Sequence, residues 1–101
     1  MSNIEPARKA LLQRILEGHG KASPSDRRAA FENSGLGESL CHLVDKVGRD
    51  ARGITDKDIY RARQSGLSED QIFEILVCAA IGQATRQYDS VKAALEAVRG
   101  A

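Results

Sequence analysis

The chain has 101 residues, 42% of them hydrophobic, and its 15 basic and 14 acidic side chains leave a formal net charge of +1. That length holds one small domain, and the interleaving of opposite charges excludes a polybasic binder of nucleic acid or membrane surfaces. Cys41 and Cys78 lie far apart within apolar helical patterns, which suits reduced thiols in a cytosol better than a disulfide framework.

Ile4, Ala7, Leu11 and Ile15, with Leu12 and Leu16 beside them, recur at helical spacing, and Pro6 suits a first helical turn. Gly18-His19-Gly20 ends that helix. Ser23-Pro24-Ser25-Asp26 restarts the chain with a serine cap, a proline at the first helical position and an acid at the third. The short helix that follows holds Ala30 and Phe31 on a thin apolar face, which calls for a larger element to lie against, and it stops at Asn33-Ser34-Gly35. Leu36, Leu40, Leu43, Val44, Val47 and Ala51 mark a third helix ending at or before Gly53. Thr55 then caps a fourth helix, Asp58 answers it in a capping box, and Ile54 with Ile59 form a hydrophobic staple. Gly66 stands where a left-handed terminating residue is wanted.

The stretch from Leu67 to Gln87 organises the rest. Ser68 and Gln71 repeat the capping box, Leu67 and Ile72 the staple. From Ile72 to Ile81 only Glu74 is charged, so the apolar residues run most of the way round a central helix that is covered on most sides or forms an oligomer interface. After Tyr88, Asp89 is expected to cap a last helix with Val91, Ala94, Leu95 and Val98 on one face. No alternating apolar run bounded by hairpin turns occurs, so the expected fold is all-α, a compact bundle of five to six helices around the central one. Residues 1–101 form a single domain in this reading, with 1–35 as a helical extension and 36–101 as the core. The opening residues have no basic region leading into a greasy segment, and the longest apolar run, Ile75 to Ile81, is too short for a bilayer. A soluble, cytoplasmic protein is expected.

Few residues carry chemistry. The helix after Gly66 is the greasiest in the chain, whereas a DNA-reading helix must offer polar and basic side chains to base edges. Arg27, Arg28, Arg49, Arg52, Arg61 and Arg63 read as solvated helix faces paired with nearby acids. His42 beside Cys41 is not a zinc pattern, because adjacent helical residues point about 100° apart. Without a Gly-rich phosphate loop or a serine elbow, neither metal nor cofactor is expected. Glu38, His42, Asp45 and Arg49 recur at intervals of four, three and four on the third helix, a stripe that would move protons if a pocket covered it. Left open to solvent, it is an ordinary face of intrahelical ion pairs. Cys78 reads as a small core hydrophobe, and Cys41 as half-buried packing at the edge of its helix's apolar stripe.

The segment Gly66 to Ala84, preceded by a short charged helix and followed by a helical tail, resembles the alkylhydroperoxidase D-like and carboxymuconolactone decarboxylase superfamily. The resemblance covers roughly residues 36–95. It implies an all-helical fold and assembly into oligomers, with the long apolar helix building the core and the subunit contacts. In that family a Cys-x-x-Cys-x-x-x-His motif stands just before the Gly-Leu-Ser turn. Counting back from Gly66, its positions fall near Ala51, Ile54 and Asp58, so the resemblance implies a member without the thiol peroxidase site. Glu38 falls close to the place of the family's proton-relay glutamate.

These readings give a homo-oligomer through the central helix, acting as a binding or structural subunit with room for a small-molecule ligand. The alternative is a decarboxylase-like or peroxidase-like enzyme on a small hydrophobic or carbonyl compound, with Glu38, His42 and Asp45 as acid or base groups and Cys41 beside them. A peroxidase built from Cys41 and Cys78 would need their α-carbons within about 7 Å.

Overall fold

A computed structural model describes residues 4–100, with the Ile4 and Ser39 side chains outside the description. The described residues form five α-helices: α1 (Ile4–Glu17), α2 (Pro24–Glu32), α3 (Glu38–Asp50), α4 (Asp56–Arg63) and α5 (Glu69–Gly100), with a single 3-10 turn at Ala51–Gly53 between α3 and α4. No strand occurs among the described residues. The expected last two helices are one. α5 runs through Tyr88 and Asp89 without a break and spans 32 residues, about 48 Å at 1.5 Å per residue. It accounts for most of the 51 Å long dimension of the molecule. Asp89 lacks a neighbouring glycine or proline to interrupt the backbone, and its carboxylate goes to Arg8 of α1, 3.0 Å away, instead of back to a helix N-terminus.

The helix boundaries follow local chemistry. Ser23 accepts the Asp26 N–H at 3.1 Å, Pro24 occupies the first turn, and Asn33 closes α2 in the left-handed region at φ 54°. At α4, Asp58 accepts the Thr55 N–H at 2.9 Å while the Thr55 hydroxyl accepts the Asp58 N–H at 3.4 Å. At α5, Gln71 accepts the Ser68 N–H at 2.8 Å and Ser68 accepts the Gln71 N–H at 3.1 Å. Between those boxes Gly66 takes φ +101°, a conformation that suits a residue without a Cβ.

The core is the meeting of α2, α3 and α4 with the first half of α5. Ile72, Ile75, Cys78, Ala79 and Gly82 are buried on one stripe of α5, packed with Leu40, Leu43 and Val44 of α3, Ala62 of α4 and Ala30 of α2. Leu16 and Ala22 join this cluster from before α2. The thin face of α2 finds its larger neighbour in α5. At their crossing a Cβ on Gly82 would collide with the Phe31 backbone carbonyl, so glycine sets how near the two helices come. The same carbonyl, in the last turn of α2, accepts from Arg86 Nη1 at 2.6 Å, which satisfies a group the helix itself leaves unpaired.

Lys46 of α3 reaches Asp58 of α4 at 2.8 Å. Lys46 first, then the Thr55 N–H, hold the Asp58 carboxyl down from 3.8 to about 2. A folded-state value below the unfolded one means that Asp58 stabilises fully above the ordinary carboxylate range. That contribution disappears as pH falls through about 2. Asp58→Asn should therefore be less stable than the wild type at neutral pH, with the difference narrowing from about pH 4 downward, as read by urea unfolding at a series of pH values.

Candidate functional site

The α3 stripe lies open. Glu38, Cys41, His42 and Arg49 are exposed, and Asp45 is half-buried, accepting from Asn33 Nδ2 at 3.1 Å. The principal clefts among the described residues take none of their lining from these five side chains. Proton transfer on this face would take place in bulk water. Cys41 is not the half-buried packing residue its position suggested, because α3 turns Leu40, Leu43 and Val44 inward and carries Cys41 to the outside. Both cysteines are free thiols.

Ala51, Ile54 and Asp58, where the resemblance would put the peroxidase motif, serve the fold. Ala51 opens the 3-10 turn, Ile54 packs on the core cluster, and Asp58 completes the α4 capping box. None can supply a thiolate or an imidazole. Among the described residues no three His, Cys, Asp or Glu side chains converge as metal ligands.

A second constellation joins residues that the sequence keeps apart. A cavity of about 230 Å³ lies between the end of α1, α2 and the start of α5. Arg27 enters it from α2, Glu74 and Cys78 from α5, and His19 from the loop after α1. Arg27 is not a solvated side chain. It is 4% exposed, its Nη1 donates to the Ile15 carbonyl at 3.0 Å, and its Nε is buried without a partner. Glu74, the lone charge in the apolar stretch, is the other polar anchor. Its carboxylate accepts the Lys21 N–H at 2.7 and 2.9 Å and the Ala22 N–H at 2.6 Å, so it pins the α1–α2 loop to α5. Burial pushes the Cys78 thiol up, Arg27 opposes this and Glu74 reinforces it. Cys78 is therefore kept as a thiol, with its Sγ 3.9 Å from the Ile15 carbonyl. The sequence signal for this site was a single acid in an apolar run; burial of Arg27 left no local signature.

The remaining feature is the far half of α5. From Arg86 to Gly100 every residue is exposed, including Val91 at 60%, Leu95 at 51% and Val98 at 75%. Ile81, Ala84, Tyr88, Val91, Leu95 and Val98 alternate at intervals of three and four along the helix, the spacing of a coiled-coil seam. The N-terminal half of α1 runs antiparallel beside this segment and meets it through polar contacts: Arg8 with Asp89 at 3.0 Å, Glu5 with Lys92 at 3.3 Å, and the Arg8 guanidinium 4.8 Å above the Tyr88 ring. No described helix is long and apolar enough to cross a membrane.

No family model, curated protein or solved structure matches the chain.

Proposed function

We propose that the protein is a homo-oligomeric binding or structural subunit with an alkylhydroperoxidase D-like fold and no thiol peroxidase activity, assembled through α5. The observation that carries this reading is the seam on the far half of α5. A run of apolar side chains at coiled-coil spacing, exposed from Ala84 to Val98 over about 20 Å of helix, is more than the scattered hydrophobics of an ordinary surface. Its natural occupant is a second copy of the same seam, since an a/d pattern is complementary to itself and a two-fold pair makes both copies equivalent. The alkylhydroperoxidase D-like part of the reading rests on the Gly66 to Ala84 resemblance and on the all-helical architecture. The loss of peroxidase chemistry rests on Ala51, Ile54 and Asp58.

Sedimentation equilibrium of the wild type and of Leu95→Lys tests the assembly. Leu95 is half exposed in the protomer, so the variant keeps its helix content. The wild type should associate at tens of micromolar, and Leu95→Lys should weaken association by a factor of about 100 or more, by placing a charge in the apolar seam. A wild type that stays monomeric to millimolar concentration, or an oligomer that the variant leaves intact, overturns the reading.

A further inference from the structure

We infer that the cavity between α1, α2 and α5 is a binding site for a small monocarboxylate with an apolar body. Arg27 carries a charge without a counterion among the described residues: it is 4% exposed, and no carboxylate lies within ion-pair distance of it. A buried cation is costly unless something compensates it. Glu74 faces the same cavity, but its oxygens are already taken by the Lys21 and Ala22 backbone N–H groups. One guanidinium nitrogen, Nη1, is held by the Ile15 carbonyl, which fixes the plane of the group and leaves its other donors without protein acceptors. A planar fork of donors fits a carboxylate better than a point charge does.

The surroundings restrict the rest of the ligand. Arg14 lines the cavity beside Arg27, two cations against the single acid Glu74, so the charge balance of the lining favours an anion. Phe73 and Val77 supply an apolar wall. Phe73 is 68% exposed, and a ring left at the mouth of a cavity can close over a flat or branched apolar body. Glu74 disfavours a second negative charge, which argues for a monocarboxylate over a dicarboxylate or a phosphate ester. The volume, about 230 Å³, suits a molecule of the size of benzoate or a branched short-chain acid.

The test is a titration of the full chain with sodium benzoate followed by backbone amide NMR, with benzamide as the neutral isostere and inorganic phosphate as the anion without an apolar body. Benzoate should give saturable shifts at the amides of Ile15, Arg27, Phe73 and Cys78, with benzamide and phosphate each at least tenfold weaker. Arg27→Gln should lose the benzoate response. Because a buried substitution can unfold the domain, Phe73→Ala is run beside it; this residue is at the surface, and its loss should weaken benzoate several-fold while leaving the spectrum folded. Absence of saturable shifts at these amides with millimolar benzoate overturns the assignment. So does an equal response to benzamide or to phosphate, or unchanged binding by Phe73→Ala.

Discussion

Replacing Gly82 with alanine should destabilise the protein by about 3 kcal/mol, a drop in Tm of roughly 10–20 °C for a domain of this size. On helix propensity alone the substitution would be a gain of about 1 kcal/mol. The sign reverses because the added methyl meets the Phe31 backbone carbonyl of α2, and a backbone atom inside a packed crossing cannot rotate away as a side chain could. α2 would have to lift from α5, exposing Ala30 and breaking the Arg86 to Phe31 hydrogen bond. Ala80→Gly supplies the comparison: Ala80 is exposed two residues earlier on the same helix and lies outside the seam, and its replacement should cost only the propensity difference of about 1 kcal/mol. Thermal melts of the two variants separate the explanations. A Gly82→Ala protein as stable as the wild type would mean that the α2–α5 approach is not set at this point.

Glu74→Ala should cost about 3 kcal/mol as well, by a different route. It removes an acceptor that holds the Lys21 and Ala22 N–H groups, and Ala22 is 3% exposed, so its N–H would be left unpaired away from water. Hydrogen bonds to a carboxylate are about twice as strong as those between neutral groups. Glu74→Gln keeps one acceptor oxygen and turns an amide NH₂ toward backbone donors, so it should fall between wild type and alanine. Chemical denaturation ranks the three proteins, and amide exchange at Lys21 and Ala22 locates the loss. Equal stability of all three would show that the loop is held by its own turn and not by α5.

Where an element begins was legible because capping is a contact over three residues. Thr55 with Asp58 and Ser68 with Gln71 are readable from adjacent letters, and both close as hydrogen-bonded boxes. The stop of α2 at Asn33 was legible for the same reason. Asp89 shows the limit. An acid after an aromatic reads as a cap if only neighbours are considered, but its partner is Arg8, 81 residues away, and such a pairing leaves no trace in local spacing. Arg27 shows the same limit at the candidate site. Next to Arg28, which is half exposed and bridges to Glu17 at 2.8 Å, it looks like another surface cation. The helix turn separates the two by about 100°, and that rotation puts one into solvent and the other under α1. The α3 stripe was readable as a stripe; whether a wall covered it depended on where the other helices lay.

α5 is continuous in its backbone but not in what supports it. Up to Gly82 its turns are embedded among side chains from the four other helices; past Arg86 they are propped by a few ion pairs to α1, which salt screens. Opening of the near half therefore requires most of the domain to open, whereas the far half can unwind from its tip while the rest stays folded. The terminal turns are thus the part of the chain whose order a neighbouring molecule can most readily change.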